Sequence, residues 1–231
     1  MLTMTGVRAR VRAELTEEIL AVARRHLAEQ GAAALSLRAV ARDVGMVSSA
    51  IYRYFASRDE LLTALIVEAF DAVGEAAEQA DATRPRDDLA GRWLAMARAI
   101  RAWAIANPQQ YALVYGSPVP GYAAPQDTVD PAARVSLVLL QLLVDGVAAG
   151  TLEDERIETT RALRTDLARL REVAPGVPDG VLVRGIHAWT WLFGHISYEL
   201  FGHLHTVIED YDALFDLQAA RTGEEVLGSH L

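Results

Sequence analysis

The sequence predicts an all-α protein in which a small N-terminal three-helix domain with a helix-turn-helix is joined by helix four to a larger helical bundle. Apolar residues recur at helical steps of three and four, and no stretch alternates with the period of a strand. Capping residues, glycines and prolines divide this pattern into separate helices. Charge also differs between two parts of the chain. Residues 1–60 contain nine arginines and seven acidic residues, whereas residues 61–231 contain 13 arginines and 24 acidic residues.

The N-terminal part is predicted to contain four helices. Apolar residues at helical spacing run through 8–30, and a glycine follows. In "LSLRAVARDVG", Ser36 is placed to cap a short second helix that Gly45 ends, and "VSSAIYRYF" fits a short third helix. Ser57, with Glu60 three residues later, forms a capping box that opens a long fourth helix.

The remaining chain is predicted to form the larger bundle. The polar segment "ADATRPRDD" at 80–88 marks a junction, so we expect one domain at 10–75 and another at 85–231. Residues 116–131 contain four prolines and two glycines and are predicted to be a loop. Helices are predicted at 88–106, 108–115, 131–149, 153–172, 179–205 and 208–222.

The composition excludes several classes of protein. An apolar fraction of 52% argues against disorder, and the absence of cysteine removes disulfides and thiolate chemistry. The most apolar segment, "VSLVLLQLLVDGVAAG", is interrupted by Gln141 and Asp145, and no secretory signal opens the sequence. We therefore expect a cytoplasmic protein with no membrane partner and no cofactor.

Two short helices joined across Gly45 predict a helix-turn-helix, whose second helix is shaped to enter the major groove of DNA. The surrounding motifs are more specific: "ARDVG" at the turn, "AIYRYF" in the second of these helices and "SRDELL" at the start of the next. In these motifs residues 10–75 resemble the TetR/AcrR family of transcriptional regulators. The resemblance implies a DNA-binding head followed by a domain for ligand binding and dimerisation.

The predicted third helix has two faces. Ile51 and Phe55, four residues apart, are expected to pack inward and fix this helix to the second one. Tyr52 lies on the other side, where its hydroxyl can bond a phosphate. Ser48 and Ser49 lie at the start of the helix, the end that meets base edges.

Neighbouring residues extend the predicted DNA surface. Arg53 and Tyr54 follow as backbone contacts, and Arg58 lies in the first turn of helix four, where the helix dipole disfavours a cation unless an anion is bound. The resemblance implies that Ser36 and Arg38 join the set, with Arg38 reaching a base. The alternative is a packed helical corner that binds no DNA.

The resemblance also implies that the C-terminal helices form a homodimer. The stretch "GIHAWTWLFGHISYELFGHLH" at 185–205 resembles a C-terminal subgroup of the family with a tryptophan followed by Phe-Gly and His-Gly steps. We expect Gly194, Tyr198, Phe201 and Gly202 to form the dimer interface. A helix buried in the core of the monomer is the alternative.

His195, Glu199 and His203 recur at steps of four in the same stretch, a spacing that could place ligands around a divalent metal. A hydrogen-bonded network, in which Glu199 bonds one or both imidazoles, explains the spacing as well. No metal is therefore predicted.

Eight apolar and aromatic residues are candidates for the lining of a small-molecule pocket that takes an apolar or aromatic ligand. Their helical spacing suits a packed core equally well. They are Trp93, Met96, Trp103, Tyr111, Tyr115, Tyr122, Trp189 and Phe193.

The predicted function is that of a ligand-responsive homodimeric repressor, which binds a palindromic operator and is released by a small molecule. A helical enzyme that uses the C-terminal pocket is the alternative, and a helical adaptor with a degenerate head is a third reading. Motifs for phosphate cradles, serine nucleophiles and zinc proteases are absent from the sequence, so no enzymatic activity is predicted.

Overall fold

The computed structural model describes residues 4–154 and 157–227, and within these ranges the chain forms ten α-helices and no strand. The predicted all-α class is confirmed. The first five helices are α1 (Met4–Gln30), α2 (Leu37–Asp43), α3 (Ser48–Ile51), α4 (Arg58–Ala82) and α5 (Leu89–Ala106). The others are α6 (Pro108–Tyr115), α7 (Val129–Ala148), α8 (Arg161–Val173), α9 (Asp179–Leu200) and α10 (Tyr211–Leu227).

Local sequence signals set several helix starts. The backbone N–H of Glu60 donates to the Ser57 hydroxyl at 3.1 Å, so Ser57 caps α4 as predicted. The return bond of the predicted capping box is displaced by one residue, because the Glu60 carboxylate accepts from the N–H of Ala56 and not from that of Ser57. The Thr160 hydroxyl accepts from the N–H of Leu163 at 3.2 Å. This cap starts α8 at Arg161, whereas the predicted helix began at residue 153.

Two helices end earlier than the sequence predicts. Helix α3 covers only Ser48–Ile51, and the chain continues to Phe55 through hydrogen-bonded turns. Helix α9 ends at Leu200, and Gly202 has a left-handed φ of 79°. The prediction of one helix over 179–205 is wrong in its last turn, because a left-handed residue ends an α-helix.

The chain divides into two compact units. The first contains the chain up to Phe70 together with Asn107–Pro131, and the second contains Asp71–Ala106 together with the chain from Ala132 onward. Helix α4 therefore contributes residues to both units. The sequence assigned residues 107–131 to the C-terminal domain, so the compact units follow a different division of the chain.

The first unit has a core built from four helices. On α1 the buried positions are Ile19, Val22 and Ala23, which recur at helical spacing. The other buried members are Leu35, Leu37, Val40, Ala41, Ile51, Phe55, Leu61, Leu62, Leu65 and Ile66. Burial of these side chains fixes α2 and α3 against α1 and α4.

The segment 107–131 packs onto this core. Leu113, Val114, Val119 and Tyr122 contact it, and helix α6 packs against α1. The Tyr122 hydroxyl lies 2.8 Å from the Thr63 hydroxyl of α4. The proline-rich segment is thus fastened to the N-terminal core by apolar contacts and by a hydrogen bond.

The second unit is centred on α5, α9 and α10. Trp93 is fully buried, its indole N–H donates to the Ala219 carbonyl at 2.8 Å, and its ring meets Trp191 at 6.2 Å. Arg92 is also fully buried and bonds both Asp81 and Asp145 at 2.8 Å. These ion pairs join the end of α4 and the start of α5 to α7, since a buried guanidinium needs charged partners.

The segment Gln126–Ala148, which contains α7, is a helix long and apolar enough to cross a membrane by length and composition. Its side chains fit a helix of a folded core. Leu139, Leu142 and Leu143 are buried, and Asp145 binds Arg92. Arg134 on the same helix binds Asp71 and Glu78 of α4.

Candidate nucleic-acid interface

Helices α2 and α3 form a helix-turn-helix around Gly45. This glycine has a φ of 79°, a left-handed conformation that costs other residues strain. The N–H of Met46 donates to the Ala41 carbonyl at 2.8 Å, and the N–H of Gly45 donates to the Arg42 carbonyl at 3.1 Å. These bonds satisfy the last carbonyls of α2 and turn the chain into α3.

Ile51 and Phe55 are buried in the core of the first unit, as the sequence predicts. Tyr52, between them in sequence, is 46% exposed, and Arg53 is exposed beside it. Ser48 and Ser49 are exposed at the start of α3. Helix α3 is the recognition helix, the second helix of the helix-turn-helix. It is therefore held by apolar side chains on one side, and hydroxyl and guanidinium groups are exposed on the other.

A shallow groove lies beside this surface, and its lining includes Ser36, Arg38, Arg42, Val47 and Ser48. Three of these residues, Ser36, Arg38 and Ser48, are predicted DNA contacts, and the structure brings them together. Arg42 is an addition that the sequence analysis missed. Its signal is the four-residue step from Arg38, which places both arginines on one face of α2.

Tyr54 differs from the other predicted contacts because its ring is half-buried and packs against the core of the first unit. The Arg12 guanidinium of α1 lies over this ring, 5.2 Å from its centroid. The same guanidinium donates from Nη2 to the Arg53 carbonyl at 2.9 Å. Contact of Tyr54 with DNA stays a prediction.

Arg58 is held by backbone carbonyls within its own unit. Its Nε donates to the carbonyl of Leu35 at 3.1 Å, and its Nη2 donates to the carbonyl of Ala32 at 2.9 Å. Its Nη1 lies 3.4 Å from Asp59. The sequence predicts a bound phosphate beside a cation at this helix start, but the carbonyl oxygens of Leu35 and Ala32 give the guanidinium a structural reason to be there. A phosphate contact by Arg58 stays a prediction.

His26 on α1 is a buried polar residue that the sequence analysis did not single out. Its Nε2 lies 2.7 Å from Oδ2 of Asp43, the last residue of α2. The hydrogen bond from His26 lowers the pKa of the Asp43 carboxyl. This pair fixes the end of α2, from which the turn into the recognition helix starts.

The predicted pocket residues are distributed over both units. Tyr111, Tyr115 and Tyr122 belong to the first unit. Trp93 and Met96 are buried in the second. Trp103, Trp189 and Phe193 also belong to the second unit, and the rings of Trp189 and Phe193 lie 4.6 Å apart.

Trp189 lines an apolar cavity of about 130 Å³ between α7, α8 and α9. The other walls are leucine side chains of these helices, Ile186, Gly185 and one hydroxyl residue, Ser136. A side chain in place of Gly185 would collide with Leu143, since a Cβ built there lies 2.5 Å from Leu143 Cδ1. Of the eight predicted pocket residues, Trp189 is the one that lines this cavity.

The predicted interface residues are on the surface of the described chain. Tyr198 is 58% exposed and Phe201 is 45% exposed, and Gly194 is exposed on the same helix as Tyr198. Gly202 and Phe201 follow the end of α9 and are not part of it. A dimer through these residues stays a prediction.

The three-residue metal arrangement does not form. Helix α9 ends before His203, and the Glu199 carboxylate accepts two hydrogen bonds from Arg101 at 2.7 and 2.8 Å. His195 is buried, with Nδ1 at 3.0 Å from the Gln218 amide oxygen and Nε2 at 4.0 Å from Glu199. Over residues 4–154 and 157–227, no three His, Asp or Glu side chains are grouped to hold a metal.

Comparison with protein families identifies both parts of the chain. Residues 19–65 match the family described as bacterial regulatory proteins, tetR family. Residues 93–222 match a tetracyclin repressor-like C-terminal domain. The first match covers α2 and α3 entirely, and the second covers α6 to α9 with most of α5 and α10.

Curated relatives and solved structures agree with these matches. The HTH-type transcriptional regulators Rv1816 of Mycobacterium tuberculosis and Mb1846 of Mycobacterium bovis are each 38% identical in an alignment 229 positions long, which covers 97% of this chain and 97% of theirs. The crystal structure of SCO4313 is 35% identical, with a TM-score of 0.76 over 93% of this chain and 97% of that chain. The TetR family regulator PfmR of Thermus thermophilus shares the fold at 19% identity, with a TM-score of 0.54 over 92% and 99% of the two chains.

Proposed function

This chain belongs to the TetR family of DNA-binding transcriptional regulators, and we propose that it represses transcription by placing α3 in the major groove of an operator. One observation carries the proposal. Ser48 and Ser49 are exposed on α3, Tyr52 is exposed directly after it, and Ile51 on the inner side of the helix is buried in the core. A helix held this firmly can present its polar side chains to DNA without rearrangement.

The contacts have separate tasks in this proposal. Ser48 and Ser49 meet base edges, and Arg38 reaches a guanine from α2, the base that arginine prefers. Tyr52 and Arg53 bind the flanking phosphates, which fix position and supply most of the salt-dependent affinity. Ser36, Tyr54 and Arg58 complete the set as positioning residues at the edges of this surface.

Val47 takes part in the same surface. It precedes α3, is 71% exposed and lines the groove that contains Arg38 and Ser48. An apolar side chain in this place suits the methyl group of thymine. A contact of this kind explains a valine where a serine or threonine would cap the helix.

The operator is read by two copies of the chain. One short recognition helix contacts too few bases to select a site, whereas two helices about 34–36 Å apart read two half-sites related by symmetry. We assign the dimer contact to the exposed side of α9 and the residues after it: Gly194, Tyr198, Phe201 and Gly202. An exposed glycine between large apolar side chains lets a second helix approach closely.

Release from DNA is assigned to a small apolar or aromatic molecule bound in the C-terminal part. The cavity that Trp189 lines supports an apolar ligand, because its walls are almost entirely hydrocarbon. A ligand that binds better to a conformation unable to span two half-sites shifts the protein toward that conformation. Regulators of this family are typically not enzymes, and a cytoplasmic location follows from the family.

A binding titration tests the proposal. The protein is mixed with a DNA fragment from upstream of its own gene, and the dissociation constant is measured against salt concentration. Binding should weaken steeply as salt increases, and Tyr52→Ala and Arg38→Ala should each weaken it by about 1–3 kcal/mol. Arg164→Ala removes an exposed arginine of α8, outside the head, and controls for the loss of a surface side chain. Equal affinity of wild type, Tyr52→Ala and Arg38→Ala would refute the assigned DNA surface.

A further inference from the structure

The start of helix α1 carries an arginine face that none of the contacts assigned above uses. Residues 7–14 of α1 are all exposed, and the first fully buried residue on the helix is Ile19. This exposed part contains Arg8, Arg10 and Arg12 against one acidic residue, Glu14. The helix therefore extends about two turns beyond the core that holds it, and the extension is cationic.

The arginines point in two directions. Arg8 and Arg12 are four residues apart and therefore lie on one side of α1. Further along the helix, the same side buries Ile19. Arg10, two residues from each, lies on the opposite side and pairs with Glu14 at 3.2 Å. Arg8 and Arg12 thus continue the core face of α1, whereas Arg10 faces away from it.

Arg12 connects this face to the recognition helix. Its Nη2 donates to the Arg53 carbonyl at 2.9 Å, and its guanidinium covers the ring of Tyr54. The carbonyl belongs to the turn directly after α3, so the Arg12 guanidinium lies beside the backbone of Arg53, whose side chain is exposed. One turn further along α1, about 6 Å away, lies Arg8. Among residues 4–154 and 157–227, no ion pair or hydrogen bond of Arg8 occurs.

The charge of this extension is unfavourable for the isolated helix. Arg8 and Arg12 are four residues apart on one side of α1, a spacing at which like charges repel, and the carboxylate of Glu14 pairs with Arg10 on the other side. An anion next to Arg8 and Arg12 offsets this repulsion. The row formed by Tyr52, Arg53, Arg12 and Arg8 gives that anion a position, because it continues the phosphate-binding edge of α3.

We propose that Arg8, placed by Arg12 beside the recognition helix, binds a DNA phosphate outside the bases that α3 reads. This inference rests on the proposed DNA-binding function and extends the contact to flanking DNA. Because a phosphate contact carries no base information, Arg8 adds affinity and salt dependence without changing the preferred sequence.

The test compares Arg8→Ala with Arg10→Ala, which removes the same charge from the opposite side of the same helix. The DNA is a duplex that carries the selected site, meaning the site that the protein enriches from random-sequence DNA, and that extends about one helical turn beyond it. Binding is measured by fluorescence anisotropy at several salt concentrations. Each lost phosphate contact reduces the slope of log K against log salt by about 0.9, or about 1.8 for a dimer. Between about 50 and about 200 mM salt, wild type should lose about tenfold more affinity than Arg8→Ala.

The controls separate this inference from the proposed function. Arg10→Ala should keep the wild-type slope, and Arg8→Lys should restore most of it because the charge is retained. On a duplex that ends at the selected site, Arg8→Ala and wild type should bind alike. Identical slopes for Arg8→Ala and Arg10→Ala on the extended duplex would overturn the contact while leaving DNA binding in place. Failure of wild type to bind either duplex would overturn the proposed function itself.

Discussion

The imidazole of His26 on α1 and the carboxylate of Asp43 at the end of α2 are joined at 2.7 Å. The two residues are 17 positions apart, and the buried histidine has this carboxylate as its partner. The pair sets where α2 ends, and the turn at Gly45 starts two residues later. Stability of the head and the position of α3 therefore depend on one polar contact across two helices.

Replacement of His26 by alanine should destabilise the protein by about 2–4 kcal/mol, because the change leaves a cavity in place of a buried imidazole and removes its hydrogen bond to α2. Chemical denaturation followed by circular dichroism measures the change. Arg25→Ala is the matched control, since Arg25 is exposed and reaches Asp43 only at 4.0 Å. A loss as small for His26→Ala as for Arg25→Ala would show that the pair does not stabilise the head.

Stability should fall as the pH decreases below about 6.5, and His195 should contribute to this fall. Burial lowers the pKa of His195, with the neighbouring Arg101 acting in the same direction. Above the unfolded pKa the imidazole is neutral in both states and has no effect. Below it the unfolded chain binds the proton first, so folding becomes less favourable until the pH passes the folded pKa.

His195→Gln should reduce this pH dependence. The measurement is the free energy of unfolding of wild type and variant at about pH 7.5 and at about pH 5. His187→Gln is the control and should keep the wild-type pH dependence, since His187 lies on the same helix with its side chain exposed. If wild type and His195→Gln lose the same stability between the two pH values, His195 is not the group that takes up the proton.

Val47→Thr should stabilise the head and change its base preference. Threonine has nearly the shape of valine and provides the hydroxyl that caps a helix, which contributes about 0.5–2 kcal/mol. The same hydroxyl weakens an apolar contact with a thymine methyl. Thermal unfolding measures the first effect, and binding to sites with thymine or uracil at the contacted base measures the second. If the wild type and Val47→Thr distinguish thymine from uracil equally well, the contact with the thymine methyl group is excluded.

Tyr198→Arg should convert the dimer to a monomer. The tyrosine is 58% exposed in the single chain, so arginine costs little there, but two arginines facing each other in an interface would repel. Analytical ultracentrifugation distinguishes the two states. Val173→Arg is the control, because Val173 is exposed at the end of α8. A Tyr198→Arg protein that remains dimeric would place the interface elsewhere.

Much of the fold was predictable because its signals are local. Apolar spacing located the helices, the Ser57 and Glu60 pair located the start of α4, and the four-residue step from Ile51 to Phe55 located the inner side of the recognition segment. Each signal lies within one or two helical turns. The family resemblance carried the function, and the comparisons confirm it.

The missed features depend on contacts between distant parts of the sequence. Arg58 meets the carbonyl of Leu35 across 23 residues, and Arg101 meets Glu199 across 98 residues. The spacing of apolar residues within one helix does not predict hydrogen-bond partners this far apart in the sequence. His195, Glu199 and His203 do not form a metal site for a related reason. Their four-residue spacing places them on one side only within a continuous helix, but α9 ends at Leu200.

Selection of bound sequences from random DNA tests the central claim most directly. The protein is incubated with a random-sequence library, and the retained molecules are sequenced. We predict enrichment of one palindromic site whose half-sites are centred about one helical turn apart. The preference for one base in each half-site should be lost with Arg38→Ala, which removes an assigned base contact, and the full preference should persist with Arg10→Ala. A library that stays unenriched with the wild-type protein would contradict the claim that this chain reads DNA.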